Sequence, residues 1–262
     1  LEQSFELPPH SVIVKRSYLP GAEFLLMELY GRPLFDGFDA WVRENDLPRP
    51  DGPALELLHG LLAAVCTWVT FQPNDSMVAW TFALPELRYR IFVAADAGER
   101  SCVARWSPYG SSGGPEHPLF HAQLRRRGAP VEQSTIDPSG TTAAGLVAEF
   151  FARSHQNPGR LFYDPREEIA QLLVAVADHD LAWLRALDGI PEGHLIPEDH
   201  LPPRRPIHDP QFLQYRCGCT SERIRKVVLS AAGNNIAAVF GNEAEVEVEC
   251  PRCGRSVTLR RP

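Results

Sequence analysis

Lysine is nearly missing from this chain: Lys15 and Lys226 are the only two, and every other basic residue besides histidine is an arginine. That bias tracks genome composition rather than function. Also missing is an uninterrupted apolar run of the about 20 residues that cross a bilayer. The longest stretch, LELLHGLLAAVCTWVTF, is broken by His59 and Gly60. No basic segment leads into an apolar one near the start of the given sequence, and the expected location is cytoplasmic. Positive charge is scarce as well. A net charge of −7 disfavours binding nucleic acid or an acidic membrane over the whole surface. No phosphate-binding loop is present, because YGSSGGPEHP (109–118) lacks the Lys-Ser/Thr that closes one. No hydrolase constellation is present either. His194, His200 and His208 sit near carboxylates in a proline-rich stretch, without helical spacing, and read as solvated. No catalytic residue is assigned and no enzyme is expected.

Cysteine is the most informative scarcity. There are six, and only Cys66 and Cys102 precede residue 217. Both lie in apolar segments and read as inert buried thiols. The other four form two tight pairs, CGC at 217–219 and CPRC at 250–253. In a chain expected to be cytoplasmic, such pairs indicate metal or redox chemistry before structural disulfides.

What is present divides into a body, a linker and a tail. In the body (1–189), SVIVKRSY, EFLLMELY, MVAWTFAL, RYRIFVAA, SCVARW and LFYD read as strands. A short helix lies in GRPLFDGFDAWVREN. Leu55, Leu58, Leu62, Val65 and Val69 repeat at three and four, which predicts a mostly buried helix over Ala54 to Phe71. Helices are also expected from Thr142 to about His155, and over REEIAQLLVAVADHDLAWLRAL. The fold class is α/β (α+β), a central sheet with packed helices, and a small C-terminal zinc-binding domain follows it. Residues 190–212 are proline-rich and read as a linker of extended character, with no regular helix or central strand. Residues 213–262 form the tail.

The tail's cysteines run C-x-C, thirty residues, C-x-x-C. Two thiolates on one tight turn can share a zinc ion. Pro251 fixes the turn, and Gly254 lets another backbone approach closely. Ala244, Val246, Val248 and Cys250 alternate with glutamates, then SVTL returns, so Cys250 and Cys253 are expected at the head of a β-hairpin. Cys217 and Cys219 precede a helix capped by Thr220 or Ser221, with Ile224, Val227 and Val228 facing inward. A unit of about fifty residues rarely folds on apolar burial alone, and a four-cysteine zinc site would supply the missing stability. The expected ligands are Cys217, Cys219, Cys250 and Cys253, holding one Zn2+ per chain in the reduced state.

CGCTSER, EVECPRC and the helix ending Ser154-His155-Gln156-Asn157-Pro158 together resemble the heat-shock protein 33 family. The likeness runs from about Leu55 to Leu259 and is strongest in the tail. The resemblance implies an ATP-independent holdase chaperone of the bacterial cytosol, whose zinc-bound reduced form is inactive. It further implies that oxidants form two disulfides, Cys217 with Cys219 and Cys250 with Cys253, and release zinc. The opened protein would then bind unfolding clients, in a homodimeric state. Two departures stand out: the family's linker is largely helical, and LPELRYR replaces its Gly-Asp-Gly turn.

Three other readings stay open. The chain could be a structural zinc module without a switch, or a nucleic-acid-binding zinc ribbon. The latter is favoured by eight basic residues against five acidic ones from Gln211 onward, and opposed by a single aromatic, Phe240, after Tyr215. A thiol oxidoreductase is disfavoured because its C-x-x-C opens a helix, whereas this one caps a hairpin.

Overall fold

The computed structural model describes residues 7–109, 114–176, 178–209, 211–233 and 235–261. Part of the YGSSGG loop (110–113) lies outside the described residues. The first elements are a hairpin of β1 (Ser11–Leu19) and β2 (Phe24–Tyr30), then α1 (Arg32–Glu44) and α2 (Gly52–Phe71). Three antiparallel strands follow, β3 (Ser76–Leu84), β4 (Tyr89–Asp96) and β5 (Ser101–Pro108), then β6 (Leu119–Arg126) and β7 (Glu132–Ile136). Helix α3 (Ala143–Glu149) passes into a π-helical turn (Phe150–His155), and β8 (Gly159–Asp164) pairs with β9 (Ile169–Ala175). After α4 (Leu181–Ala186) come β10 (Arg205–Pro206), β11 (Gln211–Tyr215), α5 (Ser221–Ala231), α6 (Ile236–Phe240) and a hairpin of β12 (Glu245–Glu249) and β13 (Ser256–Arg260).

One sheet organises the body. Its order is β7-β6-β3-β4-β5-β11-β1-β2-β9-β8, with β10 attached to β1. All its pairings are antiparallel except β5 with β11. Strand β11 therefore joins two antiparallel halves, and it does so two residues before Cys217. Helix α2 lies across the inner face and is almost wholly buried, from Leu57 to Thr70. Its length and apolarity would suit a membrane span, but 78% of that window is covered by the protein itself. Gly60, which interrupts the apolar run, is where α3 comes close: a Cβ there would lie 2.6 Å from the Cβ of Ala143.

The expected sheet between Met77 and Trp106, packed on the expected helix, is present. The helix expected over 166–187 is not. Ile169–Ala175 is strand β9, paired along its length with β2 and β8. IAQLLVA is a short apolar run that helix and strand share, and the four-residue turn at Pro165–Glu168 decides for a hairpin. Only Leu181–Ala186 is helical, capped by Asp180, whose side chain accepts from Ala182 and Trp183 N–H groups.

Residues 190–209 follow the body surface. Ile196 is buried with Leu19, Phe24, Leu26 and Leu187, and its N–H donates to Gln171 Oε1 at 2.8 Å. Arg204 pairs with Glu28 at 2.9 Å. Contrary to the expectation of no central strand, Gln211 and Phe212 already belong to β11, because it begins just past the last proline.

The outer face of β3-β4-β5 is apolar too. Ala79, Ala94 and Val103 are cross-strand neighbours in one row and pack against Ile224, Phe240, Val257 and Leu259 of the tail. A sheet buried on both faces needs apolar residues at consecutive strand positions, as VAA and CVA supply.

Candidate metal centre

The four tail cysteines converge. Their sulfurs all lie within 4.8 Å of one another. Cys217 Sγ faces Cys250 Sγ at 3.9 Å, and Cys219 Sγ faces Cys253 Sγ at 3.6 Å. Ligands at about 2.3 Å around a tetrahedral ion stand about 3.8 Å apart, so the spacing fits a single zinc-sized ion. All four are free thiols. Cys250 and Cys253 are buried (2% and 1% exposed), and Cys217 and Cys219 are half-buried.

Local structure explains the convergence. Thr220 caps α5, its hydroxyl accepting from Arg223 N–H at 3.2 Å, so Cys217 and Cys219 stand just before the positive end of that helix. On the other side, Gly254 N–H donates to Cys250 O at 2.9 Å and Cys250 N–H donates to Arg255 O at 2.9 Å, closing the hairpin turn. Gly254 has φ +81, and a Cβ there would sit 3.3 Å from Leu47 Cδ2, so both its conformation and its surroundings call for glycine. Arg255 crosses between the half-sites and donates to Cys219 O at 2.7 Å.

The thiols shift one another. Contact with Cys217, then Cys253, holds Cys250 far below the usual thiol range. Contact with Cys250 pushes Cys217 up to about 12, and contact with Cys217, then Cys250, pushes Cys253 up as well. One thiolate is stabilised by its neighbours, but several together repel. A divalent cation would offset much of that repulsion, and the donor set, four soft sulfurs, suits zinc.

The expected hairpin and its alternation are present. Val227 differs: it is 59% exposed, not inward. Helix α5 rests on the hairpin through Ile224 and Val228, one turn apart, and Val227 falls to the solvent side of that line. Cys66 and Cys102 are fully buried, and burial, then contact with Cys102, raises the Cys66 thiol. His194, His200 and His208 belong to no group of three or more possible metal donors among the described residues, and all three are exposed.

Two body residues at the centre have no obvious signature in the sequence. Trp41 Nε1 donates to Cys253 O at 3.4 Å, and Arg105 Nη1 donates to Cys250 O at 3.0 Å. Arg105 also pairs with Glu249. An arginine inside the apolar strand SCVARW is the available signal, since a charge there needs a partner.

Comparison with known proteins supplies the context. The family model described as Hsp33 protein matches residues 195–259. The 33 kDa chaperonin of Cronobacter sakazakii is 25% identical over 148 residues, 47% of this chain and 49% of that one. Those of Salmonella typhi and Shigella flexneri are 22% and 23% identical over the same length. The chain spans about half the length of the curated relatives it matches. The crystal structure of the 33 kDa chaperonin from Thermotoga maritima superposes with a TM-score of 0.68 at 11% identity, over 95% of both chains. At that identity the likeness establishes the fold.

Proposed function

We propose that this chain is a divergent member of the Hsp33 family, which the matched tail, the curated relatives and the shared fold support, and that it is a redox-regulated, ATP-independent holdase of the cytoplasm. Residues 1–189 form the chaperone body, 190–212 the connecting segment and 213–262 the switch. In the reduced protein Cys217, Cys219, Cys250 and Cys253 would hold one Zn2+, whose contribution would be structural: its two positive charges would offset half the charge of four thiolates and tie helix α5 to the β12-β13 hairpin. Oxidation by hypochlorite or peroxide removes two electrons from each close pair. Cys217 joins Cys219 and Cys250 joins Cys253, the oxidant leaves as chloride or water, and the ion is lost with its ligands. A tail of this size, deprived of its metal, loses structure. The apolar row Ala79-Ala94-Val103 is then uncovered and takes up unfolding client proteins, with homodimers forming in the oxidised state.

The observation that carries this reading is the sulfur cluster placed on a tail that itself covers an apolar sheet face. An exposed face of that kind binds partly unfolded chains. The test measures zinc content and client light scattering on one sample, before and after hypochlorite. We expect one zinc per chain and no protection in the reduced state. After oxidation we expect free zinc and suppressed aggregation without ATP, with reversal by dithiothreitol and zinc. Zinc release without protection leaves a structural zinc module in its place.

A further inference from the structure

The tail could be tethered to the body by its covalent connection and apolar contact alone. The structure contains something more specific. Arg105 projects from β5 on the outer face, in the row Thr81-Phe92-Arg105 beside Ala79-Ala94-Val103. Its three nitrogens are all engaged: Nε donates to Ser107 Oγ at 3.0 Å, Nη1 to Cys250 O at 3.0 Å, and Nη2 pairs with Glu249. Trp41, near the end of α1, donates its indole N–H to Cys253 O at 3.4 Å, and its ring lies 5.7 Å beneath the Arg255 guanidinium. Leu47 closes against Gly254. So two body side chains hold the backbone carbonyls of two of the four cysteines, and Arg255, seated on one of them, reaches on to a third, Cys219.

We infer that Arg105 and Trp41 form a latch through which the body sets how readily the tail gives up its metal. The inference rests on the metal reading above. Both carbonyls are oriented by the hairpin turn that also aims the two sulfurs. Opening the turn breaks the latch, and breaking the latch frees the turn. Coupling of this kind is reciprocal: if docking favours the metal-loaded hairpin, the metal favours docking by the same factor. Only a planar, forked cation satisfies the three Arg105 acceptors together, so lysine is not equivalent here. These are positioning residues. Neither supplies an atom to the ion.

The experiment uses the full chain, reduced and zinc-loaded, and follows transfer of zinc to a colorimetric chelator. Arg105→Gln and Trp41→Phe are compared with wild type and with Arg126→Gln. The last breaks a 2.5 Å surface pair with Glu132 between β6 and β7, which is not one of the contacts to the cysteine carbonyls, and controls for general loss of stability. Loss of a charge-assisted contact predicts zinc transfer about tenfold faster for Arg105→Gln. Arg105→Lys should recover little of that, Arg126→Gln should match wild type, and circular dichroism should show the body intact in all. Adding Glu249→Gln to Arg105→Gln should accelerate release little further, since the pair is already broken. Metal-loaded Arg105→Gln and Trp41→Phe releasing zinc at the wild-type rate overturn the latch alone. Wild type that takes up no metal overturns the metal reading and the latch with it.

Discussion

At the residue scale, the four cysteines are readable because their chemistry is local: two pairs, each on a turn signalled by its own proline, glycine or cap. Trp41 and Arg105 are not readable, since nothing nearby in sequence says that Cys253 and Cys250 will arrive over them. His59 shows a third case. In the sequence it is visible only as an interruption of an apolar run, yet it is 8% exposed, stacked on Phe35 at 4.0 Å between ring centroids, with Nε2 lacking a hydrogen-bond partner. Burial lowers its pKa to about 4; Asp39 works against that and Arg49 with it. The unfolded chain, near 6.5, takes up the proton first. Stability is therefore complete above about pH 6.5 and falls as pH drops toward about 4, by up to about 3 kcal/mol. His155, lowered mainly by its own partial burial, pulls the same way. His59→Leu should flatten much of this slope. Urea midpoints between pH 7.5 and pH 4 measure it, and an unchanged slope would contradict the assignment.

At the scale of elements, caps and alternation carry across well, and ambiguous apolar runs do not. IAQLLVA becomes β9 because β2 and β8 wait on either side, a tertiary reason with no local trace. Helix α5 is the opposite case. Its start is legible from Thr220, and the hydroxyl does accept from Arg223. Thr220→Ala should cost about 1 kcal/mol. Because the helix begins directly after Cys219, that cost falls on the metal half-site rather than on the body. Hydrogen exchange over 221–231 should accelerate while β3-β4-β5 stays protected. Equal acceleration in both would mean that tail and body unfold as one unit.

At the scale of the whole molecule, the sequence shows a body and a tail, but not that the body's sheet is finished by β11, almost at the first metal cysteine. Nor does it show that the tail lies on the sheet. Ala79 of MVAW, Ala94 of VAAD and Val103 of CVAR read simply as strand residues, and their row on the outer face emerges only from the register of three strands. That row offers a way to open the protein without an oxidant. Ala94 is fully buried between Ala79 and Val103, in the same apolar cluster as Ile224 and Val257 of the tail. Arg105 in the next row is already engaged by Ser107, Cys250 and Glu249, so a carboxylate at Ala94 gains no free cation and will not stay buried, whereas the opposite face, packed on α2, is untouched. Ala94→Glu should therefore expel the tail and leave the body folded. With the cysteines reduced and zinc supplied, hydrogen exchange should rise over 221–260 while α2 stays protected. If the covered face is where clients bind, the same reduced variant should already slow aggregation of a heat-labile protein, though less than oxidised wild type, because the glutamate spoils part of the surface. A variant whose tail is mobile and whose protection is nil places client binding elsewhere, and a variant whose tail stays protected denies that the row holds it.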